Sequence, residues 1–126
     1  MAELIPAPTR IPVPGGKVID EYVGRVTTGT ESVSVAHMVA PGGWSEPAQR
    51  PEFDEVTVVL RGVVHVEVTD DDGSARTLEV PAGQAVVTKA GERVRYSTGD
   101  EETEYVAVCL PAFSPEIVHR DPEDGE

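Results

Sequence analysis

The stretch GGWSEPAQRPEFDEVTVVLRG, residues 42–62, decides the fold. Two glycines open it, and a polar segment follows with Glu46, Gln49, Arg50, Glu52 and Glu55. The β-branched run VTVVL at 56–60 then ends against Arg61 and Gly62. So short a run, rich in valine and bounded by charge and glycine, reads as a strand. Its near-continuous apolar character predicts burial on both faces. A polar segment feeding such a strand delivers charged side chains to the edge of a core, where sites are built.

Outward from this stretch the pattern repeats. On the N-terminal side, residues 32–39 read SVSVAHMV, with Val33, Val35, His37 and Val39 alternating against Ser34, Ala36 and Met38. That is the period-2 signature of a strand, and it places His37 on the valine face, a packed core position. Before it, residues 18–26 form a plausible first strand. Pro6, Pro8, Pro12 and Pro14 each fix φ and remove a backbone donor, so residues 3–16 form an extended, partly polyproline-like arm. On the C-terminal side, VVHVEVT at 63–69 sets Val64, Val66 and Val68 on one face and sends His65 outward with Glu67. Asp72-Gly73 closes a hairpin, and strands follow at 76–80, 85–88, 92–98 and 104–110. Residues 115–118 are expected to form one helical turn. About seven or eight strands with turn signals between them and no amphipathic helix make an all-β sandwich or barrel.

The 126 residues suit one domain with one core. We divide them into an arm (1–16), a barrel (17–119) and an acidic tail (120–126). A formal net charge of -13, from 23 acidic and 10 basic residues, argues against nucleic acid and anionic membrane as partners. Cys109, the one cysteine, rules out an internal disulfide and reads as a small buried apolar residue. The first residues lack the basic and apolar regions of a signal peptide, and no apolar run reaches membrane-spanning length, so the expected location is cytoplasmic.

The order of glycines over residues 30–112 resembles a single-domain cupin, a small jelly-roll barrel. The first cupin motif reads G-x5-H-x-H-x(3,4)-E-x6-G and the second G-x5-P-x-G-x2-H-x3-N. Glu55 and Gly62 match the end of the first, Gly42 or Gly43 its start, and Gly83 with Gly91 the glycines of the second. The histidine positions hold Ala48 and Arg50, or Gln49 and Pro51, and then Val94; Lys89 and Thr98 stand at the proline and asparagine positions. Three of the four metal ligands that the resemblance implies are absent, so no metal and no cofactor is expected. FDEVTVVLRG at 53–62 and YVAVCLPA at 105–112 are similar to the histidine-poor group that includes the ethanolamine-utilisation cupin. That group implies a bacterial cytosolic homodimer and an acetate-kinase-like activity, although no G-x4-G-K-[ST] nucleotide loop is present.

In such a barrel Glu55, Thr57 and Val59 point inward, and Val94, Tyr96 and Thr98 line the same cavity while Arg93 and Arg95 face out. Glu46, Gln49, Arg50 and Glu52 add polar groups at its rim. We expect Glu55 as proton-transfer group and Tyr96 as its partner, with Glu46, Gln49, Arg50, Glu52, Thr57 and Thr98 binding substrate. A structural ion pair is the competing role for Glu55, and a packed aromatic that for Tyr96. Trp44 reads as a rim or dimer-contact residue, and His119 as a solvent-exposed titrating group. Three functional readings stay open. One is metal-independent acid/base catalysis on a small polar metabolite (isomerisation, elimination or cyclisation), and another a non-catalytic ligand-binding or assembly module. The third is a carboxylate/amide metal site drawn from Glu46, Gln49, Glu52, Glu55 and His37.

Overall fold

Alternating apolar residues and closely spaced turns produce nine strands, given by the computed structural model, which describes residues 2–122. They are β1 (Thr9–Ile11), β2 (Val18–Val23), β3 (Ser34–Ala40), β4 (Asp54–Arg61), β5 (Val63–Thr69), β6 (Ala75–Pro81), β7 (Ala85–Thr88), β8 (Arg93–Thr98) and β9 (Thr103–Leu110). One helical turn, α1 (Pro115–Val118), follows, capped by Ser114. The end of the expected acidic tail, residues 123–126, lies outside the described residues.

The strands form a six-stranded sheet in the order β1-β2-β3-β9-β4-β7 and a three-stranded sheet in the order β6-β5-β8. Every pairing is antiparallel. The chain crosses between sheets at Gly62, whose φ of 80° is open to glycine. A Cβ there would also run into Thr103 and the Glu102 carbonyl. At the β5–β6 hairpin, the Asp72 carboxylate accepts from the Ser74 amide at 2.9 Å, and Gly73 supplies a φ of 86°. Backbone bridges Ser45–Ser97 and Gln49–Val94 lay the segment 45–49 along β8, extending the smaller sheet.

Between the sheets lies a core dominated by Val59, Val64, Val66, Val68, Val80, Val86 and Val94. Burying each contributes on the order of 1.5 kcal/mol or more. A second cluster joins Phe53, Cys109 and Val118, with the Phe53 and Phe113 rings edge to face at 6.0 Å.

Two expectations fail here. The 56–60 run is not buried on both faces: Thr57 and Val59 face the core, while Val58 and Leu60 are 37% and 50% exposed. Among the described residues nothing covers the outer face of β4. His37 does not face the core either. Ser34, Ala36 and Ala40 are the buried residues of β3, and His37 turns outward to bond Glu104 at 2.6 Å. The period-2 reading held, but alternation alone does not say which face turns inward, and the small residues won. The arm also does more than extend, since β1 pairs with β2 through three residues, assisted by Arg10–Asp20 at 2.9 Å.

Candidate functional site: a charged cavity between the sheets

Small residues leave room that large ones would fill. Ala36 of β3 sits opposite Ala107 of β9, with Ser34 opposite Cys109 in the same register. Their side chains border a cavity of about 280 Å³, which Trp44, Glu46 and Gln49 close from the other side. The arm contributes Ile11, Val13 and Pro14 as a further wall, and Lys17 follows directly after it.

Five charged groups share this space: Lys17, Glu21, Glu46, Glu55 and Arg120. The Glu55 carboxyl borders the cavity from the start of β4. Burial pushes it up to about 7 and the nearby Glu46 charge adds to the rise, while Lys17, the Tyr96 hydroxyl and Arg120 oppose it. Lys17 is shifted the other way, its ammonium held below the usual lysine range chiefly by burial, against the attraction of Glu46 and Glu55. Its Nζ lies 4.2 Å from the Trp44 ring centroid and 5.4 Å from that of Tyr105, so two aromatic faces stabilise the partly desolvated cation. Arg120 Nη2 donates to Gln49 Oε1 at 3.1 Å and stands 3.4 Å from the Glu46 carboxylate.

The expected site residues divide. Glu55, Tyr96, Glu46 and Gln49 all line the cavity. The Tyr96 hydroxyl bonds Thr88 Oγ1 at 3.0 Å, and burial together with the Glu55 charge drives its ionisation far above the usual tyrosine range. Arg50 is exposed and donates to the Gly91 carbonyl at 2.7 Å, and Glu52 bonds His119 on the surface. Thr98 is structural: its hydroxyl donates to the Pro41 carbonyl at 2.7 Å and accepts from the Trp44 amide at 3.0 Å. Thr57 is buried beneath the cavity, and its hydroxyl is the buried side-chain polar atom left without a partner among the described residues. Val94 packs in the core. His119 is tied to Glu52 rather than free, and Trp44, expected at a rim, is a buried cavity wall. Burial and the Glu55 charge raise the Cys109 thiol, in keeping with an unreactive cysteine.

Sequence reasoning missed Lys17, Glu21, Tyr105 and Arg120 as cavity residues. Glu21 is occupied locally, since its Oε1 accepts from the Thr27 amide and hydroxyl, both at 2.8 Å. Lys17 and Arg120 come from opposite ends of the chain, and no spacing rule links them. A second recess of about 270 Å³ adjoins the cavity across Ser45, Glu46 and Pro47, which line both. It presents Arg93, which pairs with Asp121, and Arg95. Among the described residues no carboxylate lies within ion-pair distance of Arg95.

A cupin metal does not fit this donor set. Gln49 is committed to Arg120, Val94 is an apolar core residue, and Glu52 and His37 point away from the cavity. Among the described residues no three histidine, cysteine, aspartate or glutamate side chains converge to hold an ion. No helix there is long and apolar enough to cross a membrane.

No family model matches the chain. It is 48% identical over 110 residues to a Myxococcus xanthus (strain DK1622) protein named Endoribonuclease YbeY; the alignment covers 86% of this chain and 36% of that protein. The chain thus spans about a third of the length of the curated relative it matches. That relative overturns the expectation of a small-metabolite cupin in all three forms given above, and with it the small-molecule partner and the exclusion of nucleic acid. Among solved structures, Bacillus subtilis oxalate decarboxylase at pH 4.6 matches with a TM-score of 0.77 and 17% identity, covering 90% of this chain and 30% of that one. A structure of the same enzyme studied for its Mn(II) centres matches with a TM-score of 0.76, 17% identity and the same coverage. The fold agrees with that comparison, and the chain has the cupin fold.

Proposed function

We propose that the chain serves RNA processing, seating single-stranded RNA with one unstacked nucleotide in the cavity and the adjoining backbone along Arg93 and Arg95. The observation that carries this reading is the 48% identity, over most of the chain, to a protein named as an endoribonuclease. Strand cleavage is proposed for the whole protein to which such a domain belongs, and holding the strand for this part of it.

The geometry supports the reading in two ways. A cavity of about 280 Å³ accommodates one base and not a duplex, so the strand must be single and the base splayed out. Trp44 and Tyr105 contribute aromatic walls, and the Lys17 ammonium that lies over them adds a cationic donor at the same place. The net charge, which argued against RNA, is not concentrated here. The two adjoining recesses carry Lys17, Arg93, Arg95 and Arg120 against Glu21, Glu46, Glu55 and Asp121, so they are balanced where the chain as a whole is acidic. A phosphate responds to the charge it meets within about 10 Å more than to the molecular total. Two narrower statements belong to the same proposal: that the chain resembles the histidine-poor, ethanolamine-utilisation type of cupin, and that the protein resides in the cytoplasm.

Binding of a labelled uridine-rich octanucleotide, followed by fluorescence anisotropy as salt rises from about 50 to about 200 mM, tests the reading. The wild type should bind, more weakly as salt rises, and Arg95→Ala should reduce the slope of log affinity against log salt by about one. No binding at the lowest salt would sink the proposal.

A further inference from the structure

We infer that the cavity reads a guanine base, with the Glu55 carboxylate accepting from guanine N1–H and N2–H and the Lys17 ammonium donating to O6. This rests on the RNA reading above and names the nucleotide that the cavity selects.

The inference follows from what the cavity groups still have free. Gln49 Oε1 and one Glu46 oxygen are engaged by Arg120, the Tyr96 hydroxyl by Thr88, and the Glu21 carboxylate by residues 26 and 27. Glu55 borders the cavity with no side-chain cation within ion-pair distance among the described residues, and Lys17 holds its ammonium against aromatic faces without a carboxylate contact of that kind. The remaining chemistry is therefore a carboxylate acceptor, on which the Tyr96 hydroxyl already bears, and a cationic donor close enough for each to feel the other's charge. A guanine Watson–Crick edge offers the complement, two adjacent N–H donors and a carbonyl acceptor. Uracil would set its O2 carbonyl, and cytosine its N3 and O2 acceptors, against the carboxylate. Adenine offers a single donor beside a ring-nitrogen acceptor.

Glu55 is also balanced between its two forms. Burial and Glu46 favour the acid, while Lys17, Arg120 and Tyr96 favour the carboxylate. Two N–H donors from a base would tip that balance toward the carboxylate.

Heptauridylates carrying a central guanosine, adenosine, cytidine or inosine, titrated by anisotropy, test this. Guanosine should bind about tenfold or more tighter than adenosine or cytidine, and inosine, which lacks the 2-amino group, should lose several-fold of that advantage. Glu55→Gln, checked for native folding by thermal unfolding, should abolish the guanosine preference, because an amide pairs bidentately with adenine instead. Equal binding of all four oligonucleotides by the wild type, or a preference for adenosine, would overturn the base assignment while leaving RNA binding intact. Failure to bind any of them would overturn both readings.

Discussion

β4 and β5 are consecutive strands joined at one glycine, yet their inward faces differ in kind. β5 presents Val64, Val66 and Val68, none more than 3% exposed, and fills its share of the space between the sheets. β4 presents Glu55, Thr57 and Val59, a carboxyl, a hydroxyl and one apolar side chain. Both obey the same alternation, so backbone geometry does not explain the difference. Neighbours do: β5 is flanked by β6 and β8, whose buried valines meet its own, while β4 lies beside β9, whose Ala107 and Cys109 leave a void. An inward polar residue costs stability wherever it stands, and here it stands where the packing already stops.

This contrast can be broken most severely at Glu55. Its carboxyl titrates near 7 in the folded protein and near 4.3 in an unfolded chain, so between those values the native state holds the extra proton. Stability attributable to this group is therefore lost as pH rises through that window, by up to about 3 kcal/mol above it. Glu55→Gln should remove the loss, and urea unfolding at about pH 5 and about pH 8 should show wild type and variant diverging at the higher value. Parallel behaviour would mean that Glu55 is hydrated like a surface carboxylate. On β5, Val66→Ala removes two buried methyl groups and should cost about 2 kcal/mol in the same assay. A cost below about 0.5 kcal/mol would show that this half of the molecule is as loosely packed as the other. The smallest effect belongs to Thr57→Val, which deletes an unpartnered buried hydroxyl at nearly constant shape and should stabilise by about 1 kcal/mol. No gain would indicate that the hydroxyl finds a partner in solution.

The barrel was legible because its cues are local. Gly62 and Gly73 mark turns, valine alternation marks strands, and Glu55 keeps its spacing to Gly62. What escaped is what local cues do not carry. The face that His37 occupies depends on the size of residues across the sheet, where Ala36 and Ala107 meet. The exposure of Val58 and Leu60 depends on whether a further layer lies above β4. Motif and strand period direct Glu55 and Tyr96 inward, and the polar segment before β4 brings Glu46 and Gln49 to the cavity, but Lys17 and Arg120 arrive there from distant segments. The argument against nucleic acid rested on total charge, and the finding set against it is the relative named as an endoribonuclease; a total charge does not say how acids and bases are shared between recess and surface.

The arm has one further consequence. β1 is an edge strand of three residues, and the segment that follows it is a wall of the cavity. An element held by so few pairings opens at a smaller free-energy cost than the strands behind it. A guest that fastens Lys17 would therefore steady β1 and the wall that follows it as well as fill the space.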